Sequence, residues 1–235
     1  MKKHHLLCLF LFLSVACSTN KKDGTCHLEE TDEVLSFPID TDTKNNFNIY
    51  SIYKDKDGKE YFTFQNHQNN TIHFYDLKRQ KPAFKISPPQ EGSNGVGHSH
   101  SRTQKVPAKS KYFEHVQLPD ELTASPEDFC KNAWYSNLFY DPYRKVYYRI
   151  AYPPSTLDKD IRPLELIQFG RKNFSILILD KDFRILGETL FPDNSYNPQI
   201  MFVRPEGLYI SDSHYLNPRF NDDILSFRKY ELAGE

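Results

Sequence analysis

Between Asn48 and Ile86 the chain reads NIYSIYKDKDGKEYFTFQNHQNNTIHFYDLKRQKPAFKI, four short runs of aromatic and β-branched residues cut by turn-forming clusters. Strands place successive side chains on opposite faces, and Ile72 and Phe74 fall on one face while His73 and Tyr75 fall on the other. The spacing predicts strands at Asn48 to Lys54, Glu60 to Gln65, Thr71 to Leu77 and Pro82 to Ile86. Asp57-Gly58 marks the first reversal, because glycine accepts the positive φ of a tight hairpin.

The same order recurs twice. LFYDPYRKVYYRIAYPP supplies two strands around Asp141-Pro142, and FSILILDKDFRILGETLF two more around Asp180-Lys181-Asp182. A third copy starts with IMFVRPEGLYISDS, turns at Glu206-Gly207 and ends on DILSFRKYEL. About three antiparallel four-stranded units predict an all-β, propeller-like fold, and a closed or an incomplete ring both fit that number. Fifteen tyrosines and 18 phenylalanines suit pleated, half-buried surfaces, and 15 prolines suit the turns. Phe174, Ile176 and Ile178 alternate with Ser175, Leu177 and Leu179, so this strand is expected to be covered on both faces. One short helix is expected at Ser125-Pro126-Glu127-Asp128, where a cap, a first-turn proline and acidic residues coincide.

The N-terminus carries an address. Lys2 and Lys3 precede an apolar run from Leu6 to Leu13 and the small residues Ser14, Val15 and Ala16, the order of a secretory signal peptide over residues 1–16. Eight residues rise only about 12 Å as a helix, too little to span a bilayer. Ser14-Val15-Ala16-Cys17 resembles a bacterial lipobox, with Ser14 where leucine is usual, which makes Cys17 the expected site of lipidation. Two or three acyl chains hold a protein on a membrane where one lets go. Residues 17–33 then read as a lipidated polar tether and 34–235 as the folded domain, in the bacterial envelope as an outer-membrane lipoprotein.

FPID at 37–40, GSNGVG at 92–97, YDPYRKVYYRIA at 140–151, FSILILDKDFRILGETLF at 174–191 and EGLYISDS at 206–213 together resemble the Bacteroidota lipoprotein family catalogued as domain of unknown function 4221. The resemblance implies propeller-like repeats and an envelope location. It transfers no catalytic residue, because the family has no established activity. It also implies members longer by roughly a hundred residues, so that blades are expected to be missing between about Gly97 and Lys111.

Chemistry is sparse. Thirty basic and 31 acidic residues are interspersed along the chain, and without the signal segment the balance is 28 to 31, so no basic face recruits nucleic acid. His98 and His100 point the same way on an extended segment and His115 is the nearest third ligand, but a solvated loop is the expected state and no metal or other cofactor is assigned. Asp55 and Asp57 before Gly58 lack the later ligands of a calcium loop, and GSNGVG lacks the lysine of a phosphate loop. With Cys8 removed and Cys17 acylated, Cys26 and Cys130 remain, and a disulfide between them is open arithmetically. No nucleophile motif is present, and Asp55, Asp57, Asp141, Asp180, Asp182, Asp222 and Asp223 fall in turns, where solvated carboxylates are poor acid–base catalysts. The tyrosines of WYSNLFYDPYRKVYYRIAY suit either packing or stacking on sugar rings. The expected function is a non-catalytic module binding an envelope protein or a saccharide. An envelope glycan hydrolase and a shortened paralogue with a structural role are the alternatives.

Overall fold

The turn chemistry read above organises twelve strands in the computed structural model, which describes residues 25–41, 43, 45, 47, 49–66, 69–87, 130, 133–157 and 170–234. The chain enters on β1 (His27–Pro38) and then builds three antiparallel sheets. Sheet 1 is β2 (Tyr50–Lys54), β3 (Glu60–Gln65), β4 (Ile72–Asp76) and β5 (Lys81–Ile86) in that order. Sheet 2 is β6 (Trp134–Asp141), β7 (Val146–Tyr152), β8 (Ser175–Leu179) and β9 (Ile185–Leu190). Sheet 3 runs β10 (Asn197–Arg204), β11 (Gly207–Ser211), β12 (Ile224–Ala233) and then β1 at its edge. The expected all-β fold of three four-stranded units is the one observed.

Aspartates close the hairpins. Asp55 accepts the backbone N–H groups of Asp57 at 3.0 Å and Lys59 at 2.8 Å, with Gly58 at φ 80° between them. Asp180 does the same for Asp182 and Arg184, and Asp141 accepts from Tyr143 and Arg144. A short carboxylate that mimics a backbone acceptor is why these residues recur at the reversals.

β1 corrects the expected boundary. The polar tether was to reach residue 33, yet Cys26 is buried and β1 starts at His27. Glu29, Glu30, Asp32 and Glu33 disguise the segment as soluble linker. Pairing supplies what local pattern does not: His27 faces Ala233, Pro38 faces Ile224, and an irregularity between Glu30 and Val34 takes up the extra residues. The first strand thus finishes the last sheet, tying the two ends of the folded body together.

Sheet 3 is the middle layer. Met201, Leu208, Ile210, Tyr230 and Leu28 face sheet 2, where they meet Tyr148, Ile150, Ile176 and Ile178. Phe202, Tyr209, Phe227, Leu35 and Phe37 face sheet 1, where they meet Phe62, Phe64 and Tyr75. Phe227 is fully buried, with ring centroids 5.0, 5.1 and 6.2 Å from Phe202, Phe62 and Phe37. Every residue of β11 is buried. In β8, Ile176 and Ile178 enter the core shared with sheet 3, while on the other face Ser175 and Leu179 are buried and Leu177 is half-buried, so the strand expected to be covered on both faces is largely enclosed.

The rim is stitched at a glycine. The N–H of Cys26 donates to Leu186 O at 3.1 Å, and the N–H of Leu28 to Thr189 Oγ1 at 2.7 Å, so the chain entering sheet 3 also leans on β9. A Cβ on Gly187 would lie 1.7 Å from Cys26 O, which only glycine tolerates. Cys26 and Cys130 are both buried free thiols, so the open question of a disulfide resolves against it. The expected helix at 125–128 and the segment 97–111 lie outside the described residues.

Candidate functional site

All three sheets are oriented alike, which gives the molecule two chemically different ends. At one end short turns interlock. Arg144 donates to Asp141 Oδ2 at 2.9 Å and to the carbonyls of Arg204 and Pro205, while Arg204 donates to Glu60 Oε2 at 2.9 Å. Asp141 is fully buried and also accepts from Tyr148 OH at 3.2 Å, which corrects its expected place on a solvated turn.

The opposite end carries the longer loops. Apart from Thr63, Asp76 and Asp141, every buried polar side chain among the described residues lies there. Asn45 Nδ2 donates to Ser213 Oγ at 2.9 Å and to Ile224 O, and Asn217 Nδ2 donates to Ser195 O and Asp212 O. Asp212 accepts from the Ser226 hydroxyl and from Arg228 Nε at 3.0 Å. Arg171 reaches the carbonyls of Pro153 and Cys130. His214 accepts the Leu216 N–H at its Nδ1, and burial lowers its pKa to about 4, so the ring is neutral at physiological pH. These hydrogen bonds tie the loops to one another and to the strand ends.

Among the described residues, that end brings together no pair of buried carboxylates. Of the buried carboxylates among the described residues, Asp212 is at the loop end while Asp76 and Asp141 are at the turn end. Asp212 is neutralised by Arg228. Among the described residues there is no cluster of three His, Cys, Asp or Glu side chains able to hold a metal, and no helix long and apolar enough to cross a membrane. His98, His100, His115 and Cys17 lie outside the described residues.

The uncovered faces of the outer sheets have a different character. Opposite its core side, sheet 1 presents Tyr53, Tyr61, Phe74 and Phe84 as a connected ladder of rings. Phe74 and Phe84 stack with centroids 4.3 Å apart, and Tyr53 meets Phe74 edge-on at 5.9 Å. An open depression of about 420 Å³ lies over them, bounded by Ser51, Thr63 and Ile86. Ser51 and Thr63 share a hydroxyl hydrogen bond of 2.8 Å. Phe84 is 46% exposed and Ile86 49%.

Sheet 2 presents the matching face. Tyr140 lies 4.9 Å from Tyr147, which lies 5.0 Å from Phe183, and Leu138, Ile185 and Leu190 are exposed beside them. The tyrosine-rich segment therefore divides: Tyr148 and Tyr152 pack in the core, and Tyr135, Tyr140 and Tyr143 stand in solvent. Alternation predicted the two faces of each strand. Which face stays bare was not legible, because it depends on how many sheets flank it.

Three packed four-stranded antiparallel sheets, closed at the rim by the N-terminal strand, define a propeller-like all-β protein. Its sequence matches the model of the family described as Domain of unknown function (DUF4221) over residues 25–115 and 98–190, and the chain belongs to that family. A crystal structure of a DUF4221 member from Bacteroides vulgatus superposes with a TM-score of 0.73 at 20% identity, covering 91% of this chain and 100% of that one. No curated protein matches the chain.

Proposed function

We propose that the protein is a lipid-anchored, non-catalytic module of the bacterial envelope, an outer-membrane lipoprotein held by Cys17, which binds another macromolecule through the bare aromatic faces of its outer sheets. The supporting observation is the ring ladder of sheet 1, with Tyr53, Phe84 and Ile86 each about half exposed above the depression. Contiguous apolar surface of this kind marks interaction sites, since water gains by its removal. Rings with tyrosine hydroxyls at their margin suit a protein surface or the faces of a saccharide.

A photoreactive residue placed at Phe84 in the full chain, in its own envelope, is expected to capture a macromolecule, whereas the same residue at exposed Lys78 in the β4–β5 turn captures none. Equal capture at both positions, or at neither, would defeat the reading. The hydrolase alternative has its own test. The full chain is expected to turn over no glycoside, ester or peptide, and turnover abolished by Asp212→Asn with folding intact would establish the enzyme.

A further inference from the structure

Each sheet in a ring of blades needs a neighbour on both faces, and among the described residues only sheet 3 has two. Sheet 1 is buried by sheet 3 on one face through Phe62, Phe64 and Tyr75, and on the other Tyr61 and Thr63 are buried while Tyr53, Phe84 and Ile86 are about half exposed. Sheet 2 is buried by sheet 3 on one face through Tyr148, Ile150 and Ile176, and on the other leaves Leu138, Tyr140, Ile185 and Leu190 exposed at its outer strands. The row is therefore sheet 2, sheet 3, sheet 1, with one unpaired face at each end. Nearly all large exposed hydrophobic side chains belong to those two terminal sheets, Phe84 and Ile86 on one and Tyr140, Phe183 and Ile185 on the other.

Known propellers close with four to eight blades, and three fall short of that range while twice three falls inside it. Homo-oligomers favour closed two-fold symmetry. We infer that the partner of the bare faces is a second copy of this chain: sheet 1 of each copy packs on sheet 2 of the other about a two-fold axis, and six sheets complete one ring. The inference rests on the binding role assigned to these faces above and names their occupant.

The contact continues a packing mode already present twice in the molecule. In both existing interfaces, aromatic and aliphatic side chains of neighbouring sheets pack together. On these faces, the depression over Phe74 and Phe84 of sheet 1 is open, and the Phe183 and Ile185 side chains of sheet 2 are 58% and 61% exposed. Because the sheets share one orientation, both copies would place their turn ends on the same side of the ring. An isologous contact of sheet 1 with sheet 1 would leave both sheet 2 faces bare and close nothing.

Sedimentation of the full chain in detergent is expected to give twice the protomer mass, falling to one protomer mass on Phe84→Asp with the circular-dichroism spectrum unchanged. The geometry is read by mixing two single variants, Phe84→Cys and Ile185→Cys, with a short bis-maleimide. The mixture is expected to yield a covalent dimer joining one chain of each kind, and neither variant alone is expected to cross-link. A monomer at micromolar concentration, or cross-linking of Phe84→Cys to itself, would overturn the six-sheet ring. Photocapture at Phe84 separates the two levels: an adduct with a different protein or a glycan overturns the second-copy assignment and keeps the binding role, whereas capture of nothing removes both.

Discussion

Sheets 1 and 3 are built from the same aromatic-rich alternation, yet one leaves part of its rings in water and the other hides them all. Phe227 on sheet 3 and Phe84 on sheet 1 both sit in antiparallel strands against other rings, and their exposures are 0% and 46%. Position in the row of sheets decides which residues stabilise the fold and which remain available to a partner. Four predictions follow the size of that difference.

Phe227→Ala is expected to cost about 3–5 kcal/mol, since truncating a fully buried ring adds a cavity to the lost transfer energy. Urea denaturation measures it, and a loss below about 1 kcal/mol would mean that sheet 3 is not the shared core. At the loop end of the same sheet, His214 ties stability to pH. Its imidazole is neutral in the folded protein down to about pH 4, whereas the unfolded chain protonates near 6.5. Stability is therefore whole above pH 6.5 and falls as the pH drops toward 4, by about 3 kcal/mol from this group. His214→Gln is expected to flatten that part of the profile, and an unaltered profile would place the ring in water.

Gly187→Ala tests the rim, where β1 crosses from sheet 3 to lean on β9. The added methyl must push Cys26 away, at a cost of about 2 kcal/mol, and hydrogen exchange is expected to rise first at the amides of Cys26 and Leu28, which donate across that crossing. Phe84→Ser should matter least for the single chain, about 1 kcal/mol or less from lost ring contacts. Any larger loss should grow with protein concentration, because a docked copy stabilises by mass action. A large, concentration-independent loss would show that the face of sheet 1 belongs to the core after all.

Most strands were legible because their turns announce them. Asp57-Gly58, Asp141-Pro142 and Glu206-Gly207 each lie at an observed reversal, and Glu60–Gln65 has the predicted bounds. β1 was missed because four acidic residues interrupt its apolar pattern and its partner lies at the far end of the sequence. Asp141 was misjudged for a related reason: a turn residue is ordinarily solvated, and only the approach of Arg144 and Tyr148 encloses this one. The bare faces could not be seen, since Phe74 and Tyr75 look equally apolar in sequence and differ only in what sheet lies opposite. The loop-end network was hidden in SDSHYLN, residues 211–217, a stretch that local pattern assigns to loop and that tertiary packing turns into a buried framework.

The direction of β1 sets how the protein would stand on a membrane. His27 pairs with Ala233 at the turn end and Pro38 with Ile224 at the loop end, so the chain enters the folded body from below, among the turns. Were Cys17 acylated as proposed, the nine-residue step from it to Cys26 could span at most about 30 Å. The loops would point away from the lipid and the bare aromatic faces would look sideways along it. Two copies diffusing in one leaflet would then meet upright and edge to edge, with a two-dimensional search replacing a three-dimensional one and every encounter already sharing an axis. Anchoring would thereby raise the effective concentration of one face before the other.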